Sequence, residues 1–122
     1  MRLPWADARV KISLVQTLIE EIRDKIASNL FEFSKHATDR SIVRNIRLHE
    51  IEEAIANGRV IEDYPDDKYC ASCLISGVTQ QNRPIHIHCS YPSRPLIKIV
   101  TVYEPDSIRW DDNFTRRITN DE

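Results

Sequence analysis

Apolar and polar residues alternate along this chain with two different periods. Over residues 8–28, Val15, Leu18, Ile19, Ile22 and Ile26 fall on one stripe of a helix, with Glu20, Glu21, Arg23 and Asp24 mostly opposite. Asp7 is placed to cap its start and Asn29 to stop it. A short strand, LFEFS at 30–34, follows, with Phe31 and Phe33 on one face. KHATDRSIVRNI at 35–46 is helical by pattern. LHEIEEAIANG at 48–58 is a further helix that closes on Asn57-Gly58.

After Gly58 the period drops to two. RVIEDY (59–64), CLISGVT (73–79), RPIHIHCSY (83–91) and PLIKIVTVYE (95–104) read as strands, with YPDDK, QQN and PSR as the turns between them. Such short connections imply antiparallel neighbours. Helices first and a meander afterwards predict an α+β fold, with N-terminal helices packed on one face of an antiparallel four- to five-stranded sheet. The tail from Asp106 carries Trp110 and Phe114, and its TNDE end is expected to fray.

Length and charge narrow the picture. A chain of 122 residues has room for one core, here a helical extension over 1–29 and an α+β domain over 30–122. No apolar run reaches the roughly 20 residues that cross a bilayer, so no membrane association is expected. The start MRLPWADARVKISLV is polar where a signal peptide would be apolar, and three cysteines make a disulfide framework a poor fit. The cytoplasm is the expected compartment. A net charge of −2 argues against coating nucleic acid by bulk electrostatics. The charge is polarised, however: over 35–49, Lys35, Arg40, Arg44 and Arg47 stand against Asp39 alone, whereas 50–67 holds seven acids against Arg59.

Candidate chemistry sits on the strands and on the second helix. In RPIHIHCSY, His86, His88 and Ser90 share one face, and Ile85, Ile87, Cys89 and Tyr91 the other. Cys70, Cys73, His86, His88 and Cys89 superficially resemble a zinc set. Alternation speaks against it: Cys89 points away from both histidines, and Cys70 and Cys73 face opposite ways, as small core cysteines would. No metal and no cofactor are expected. His36, Arg40 and Arg44 are four apart, which stacks them on one helix face about 6 Å apart along the axis. A histidine exchanges protons near neutral pH and guanidinium groups grip phosphate, two ingredients of metal-free RNA cleavage; a solvated basic helix face explains the same spacing. Thr101 and Tyr103 share a face of the last strand, with Val100, Val102 and Glu104 on the other.

F-S-x-H-A-x-x-R, then N-G-x-V-I-E-D-Y-P-D-D, C-L-I-S-G, R-P-I-H-I and T-V-Y-E-P occur in that order over residues 32–110. Together they resemble a bacterial domain-of-unknown-function family that is counted with the RelE/barnase-like group of toxin ribonucleases. The resemblance implies a RelE-like fold and an endoribonuclease toxin, with RNA as substrate and a cognate antitoxin, often a small zinc-finger protein, as partner. It places His36, Arg40, His86, Thr101 and Tyr103 on the family's polar motif positions, whereas His88 takes a place usually apolar there and Cys70 is off-pattern.

The combined expectation is a metal-independent endoribonuclease acting through the RNA 2′-OH. His36 and His86 share the acid and base roles with Arg40 and Tyr103, while Arg44 and Thr101 contact substrate. His88 is expected to be the exposed neighbour of His86. The competing expectation is a non-catalytic module of the same fold that binds a protein through its sheet and first helix. A partner that blocks the polar face is expected to be acidic where it meets the basic block at 35–49.

Overall fold

The computed structural model describes residues 4–68, 70–107, 109–111 and 114–118, with side chains from residue 15 onward. The fold is α+β: helices α1 (Pro4–Ala27), α2 (Lys35–Val43) and α3 (Leu48–Asn57), and strands β1 (Phe31–Phe33), β2 (Arg59–Tyr64), β3 (Ser72–Val78), β4 (Pro84–Ser90) and β5 (Ile97–Tyr103). The sheet order is β1-β5-β4-β3-β2. The four later strands are antiparallel, as the short turns require. β1 departs from the antiparallel expectation and runs parallel to β5, because its connection passes through two helices before the meander begins.

Helix ends follow local chemistry. Helix α1 begins at Pro4, so Asp7 lies inside it instead of capping it; proline suits a first turn, whose amides lack intrahelical acceptors. Asn29, at φ 60°, stops it, with Leu30 N–H bonded to Lys25 O and Asn29 N–H to Ile26 O. Asn45, at φ 54°, ends α2 in the same way, three residues before the sequence pattern runs out, and turns Ile46 into the core. The Ser34 hydroxyl caps the start of α2 by accepting from Ala37 N–H at 3.0 Å.

Ile19, Ile22 and Ile26 of α1 pack with Ile51, Ala54 and Ile55 of α3 on Ile75, Ile85, Ile87, Ile97, Ile99 and Val102 of the sheet. Gly58, which the sequence marks as a helix stop, is extended in backbone; its use is close approach. A Cβ at Gly58 would lie 2.5 Å from Ala54 O, and one at Gly77 would lie 1.9 Å from it, so the only two glycines seat α3 against β3. No helix among the described residues is long and apolar enough to cross a membrane.

Two bulges set which side chains face away from the helices. In β2, Val60 pairs with Ile75 but Glu62 with Leu74, leaving Ile61 as the extra residue. In β5, Thr101 pairs with His88 but Ile99 with Cys89, leaving Val100 as the extra residue. Ile97, Ile99 and Val102 are therefore the core residues of β5, and Val100 is not one of them. With strict alternation Thr101 and Tyr103 would have joined Ile97 and Ile99 in the core. The bulge turns them onto the polar face.

Candidate functional site

The face away from the helices carries Glu62 and Tyr64 of β2, Ser72 and Ser76 of β3, His86 and His88 of β4, and Thr101 and Tyr103 of β5. Cross-strand pairing sets His86 beside Tyr103 and His88 beside Thr101. The tail crosses this face. Its Phe114 carbonyl accepts from His86 Nε2 at 2.6 Å and from Ser76 Oγ at 3.3 Å, and Trp110 meets the His86 ring edge-on with centroids 4.4 Å apart. Arg117 grips Glu62 with two bonds, Nε at 2.7 Å and Nη2 at 3.1 Å, while its guanidinium lies over Trp110.

His86 is consequently 0% exposed, so the wet strand face expected of it is covered by residues that carry no periodic signal. A carbonyl only accepts, which places the His86 hydrogen on Nε2 and leaves Nδ1 to accept from Tyr103 Oη at 3.1 Å. Burial pushes the His86 pKa down, against a smaller upward push from the Phe114 bond, and the ring is held neutral.

His88 is likewise more buried than the exposed neighbour expected, but only half-buried, and it faces a cleft. Ser72 Oγ donates to Asp67 Oδ2 at 3.0 Å and therefore accepts from His88 Nε2, 2.9 Å away. This Asp67–Ser72–His88 chain fixes the hydrogen on Nε2 and leaves the Nδ1 lone pair available. Burial lowers the His88 pKa, partly offset by Asp67 and Glu62, so the imidazole is neutral at neutral pH. Tyr64 packs edge-on against it, 5.6 Å between centroids.

Two clefts meet on this face. The smaller, about 380 Å³, is lined by Tyr64, Asp67, Leu74, His88, Thr101, Tyr103 and Arg117. The larger, about 610 Å³, is lined by Arg44, Arg83, Tyr103, Glu104, Pro105, Asp106, Arg109, Trp110 and Arg117. Tyr103 and Arg117 belong to both. Arg83 is committed to the fold: it pairs with Glu50 at 3.1 Å and Glu104 at 2.7 Å and caps the last carbonyls around α2 at Arg44 and Asn45. Arg44 donates Nη1 to Val102 O at 2.7 Å on the edge of β5. Among the described residues lining this cleft, the cations placed to receive an anion are Arg109, the rest of the Arg44 fork and the cleft side of Arg117.

Of the residues singled out from sequence, Tyr103, Thr101 and Arg44 line the clefts and His86 lies directly beneath Tyr103. His36 and Arg40 are exposed on α2 and line neither cleft. Sequence reasoning missed Ser72 and Asp67, though register could have found Ser72: it sits opposite Ser90 on the histidine face. It also missed Arg109 and Arg117, for which the aperiodic tail offers no signal.

The cysteines do not gather around a metal. Cys73 and Cys89 pair directly across β3 and β4 within the core, both 0% exposed. Their mutual hydrogen bond, together with burial, pushes the Cys89 thiol well up. Cys70 is half-exposed, and among the described residues no group of three or more His, Cys, Asp or Glu side chains could hold a metal ion.

No curated protein and no solved structure matches this chain. A family model does, over residues 33–104, from the end of β1 to the residue after β5. That stretch carries the two histidines, Asp67, Ser72, Thr101 and Tyr103, and spans more than half of the chain, which therefore belongs to the family described as Domain of unknown function (DUF4258).

Proposed function

We propose that the protein is a metal-independent endoribonuclease, a toxin of the RelE/barnase-like kind, whose site is the pair of clefts on the polar sheet face. The observation that carries this reading is the placement of Tyr103 and Arg117 between a neutral, oriented His88 and a cleft lined by arginines.

Cleavage through the 2′-OH needs a base, an acid and cations around the phosphorane. His88 Nδ1 suits the base: the Ser72–Asp67 chain orients the ring and steadies the imidazolium that forms once the 2′-OH proton arrives. Tyr103 suits the acid, since burial raises its pKa and keeps it protonated. As the 2′ oxygen bonds to phosphorus and the 5′ oxygen leaves, the Tyr103 hydroxyl turns from His86 Nδ1 and its proton passes to that oxygen. His86 acts through Tyr103 by fixing its hydroxyl. Arg44, Arg109 and Arg117 neutralise the phosphate oxygens, Thr101 contacts substrate, and His36 and Arg40 extend the basic surface along α2.

The test is cleavage of a labelled RNA by purified protein in excess chelator. The expected products end in a cyclic or 3′ phosphate with a free 5′ hydroxyl, and His88→Ala or Tyr103→Phe lowers the rate about 10²- to 10⁴-fold. Activity lost in chelator and restored by a divalent ion would overturn the mechanism. Expression of the wild type, but not of His88→Ala, should arrest growth.

One observation favours the non-catalytic reading of the same fold: the sequence-matched pair His36 and Arg40 lies outside the clefts. RNA left intact by well-folded protein would decide for it.

A further inference from the structure

The corner between α2 and α3 exposes apolar side chains that the fold does not use. Ile42 and Val43 are 73% and 75% exposed, the highest among the large exposed hydrophobics, and Leu48, five residues on, is 46% exposed. Isolated exposed apolar residues are ordinary; two adjacent ones at a helix end, joined by a third across a tight turn, form a patch. Asn45 and the buried Ile46 anchor that turn from below, and Arg83 pins it by bonding Arg44 O, Asn45 O and Glu50, so the patch is presented on a rigid corner.

The rim of the patch is basic. Arg40, Arg44 and Arg47 are all exposed around it, and in residues 35–49 Asp39 alone opposes the cations. An apolar centre with a charged rim is the layout of a protein-binding surface, where the centre supplies desolvation and the rim selects by sign. Nucleic acid would use the arginines but gains nothing from an isoleucine and a valine held out in water.

We propose that the α2–α3 corner is a docking surface for a protein segment that presents apolar side chains flanked by Asp and Glu. Ile42 and Val43 are its anchors, and Arg47 and Arg40 select for acidic neighbours. The surface stands on exposure and charge alone and is independent of the nuclease reading. Because Arg44 belongs both to this rim and to the larger cleft, an occupant of the corner reaches the mouth of that cleft.

The experiment uses the full chain as bait for a random 16-residue peptide display library, with single-stranded oligouridylate as the nucleic-acid probe. Enriched peptides should carry a net negative charge together with aliphatic or aromatic residues. Their affinity should fall at least about tenfold for the double variant Ile42→Gln/Val43→Gln and several-fold for Arg47→Gln, with unchanged thermal stability because all three side chains are exposed. Oligouridylate affinity should be the same for wild type and the double variant. The proposal is overturned if no peptide enriches, if enriched peptides are neutral or basic, or if they bind the double variant as well as the wild type. It is equally overturned if the double variant loses oligouridylate instead, which would assign the corner to RNA.

Discussion

Tyr103 donates its hydroxyl to Nδ1 of His86 across the β4–β5 pair, and the same imidazole holds the tail through the Phe114 carbonyl. One buried ring thus ties the last strand, the cleft hydroxyl and the tail together. Removing it should be costly. His86→Ala is expected to lose about 3 kcal/mol of stability, from a cavity, an unpaired Tyr103 hydroxyl and loss of the shorter of two bonds to the Phe114 carbonyl. His86→Phe keeps the volume and should lose about 1–2 kcal/mol. Urea denaturation of the three proteins measures this; a loss below about 0.5 kcal/mol for the alanine variant would mean the tail is not held by this ring.

Stability should fall on mild acidification. His86 and His88 both have folded pKa values below the ordinary 6.5, so between that value and the lowered one the unfolded chain binds more protons than the native one. Their contribution is complete above pH 6.5 and lost as pH drops through the folded values. A second loss should start below about pH 4.5. Burial alone would raise the Glu62 and Glu50 pKa values, but bonds from Arg117 and Tyr64 to Glu62, and from Arg47 N–H and Arg83 to Glu50, outweigh it and lower them. Denaturation midpoints at half-unit pH steps should resolve the two losses, and His86→Phe should shrink only the first.

Gly77→Ala should be among the worst single-methyl additions in the chain. The new Cβ would meet the backbone carbonyl of Ala54 at 1.9 Å, and no side-chain rotation relieves a clash with backbone. A loss of about 2–3 kcal/mol is expected, read as a drop in denaturation midpoint, with Gly58→Ala milder at a 2.5 Å contact.

Thiol reactivity should separate the three cysteines. Cys73 and Cys89 face each other in the core, where the Cys73 hydrogen bond and burial keep the Cys89 thiol protonated, while Cys70 is half-exposed. Brief treatment of native protein with a maleimide should add one label, at Cys70, and treatment in denaturant should add three. A label on Cys73 or Cys89 in native protein would show that the β3–β4 core opens readily.

The elements themselves were readable in the chain because their causes are local. RVIEDY at 59–64 is β2 to the residue, and Asn29 stops α1 where the pattern ends, since alternation and helix capping depend on a few neighbouring residues. The candidate site was readable only in part. Tyr103, Thr101 and Arg44, which line the clefts, could be singled out because they stand on periodic elements, whereas the choice between His86 and His88 could not be read. Both are more buried than expected: His86 is fully covered and His88 is the one that faces a cleft. That choice rests on contacts far apart in sequence: Phe114 and Trp110 cover one imidazole, and Ser72 with Asp67 orients the other. The two bulges belong to the same class of fact. Ile61 and Val100 are unremarkable in sequence, yet each inserted residue reverses the phase of its strand and turns Glu62, Thr101 and Tyr103 toward the histidines. Alternation is fixed within a strand, but its phase relative to the core is set by what the partner strand and the tail allow, and only packing of the whole chain decides that.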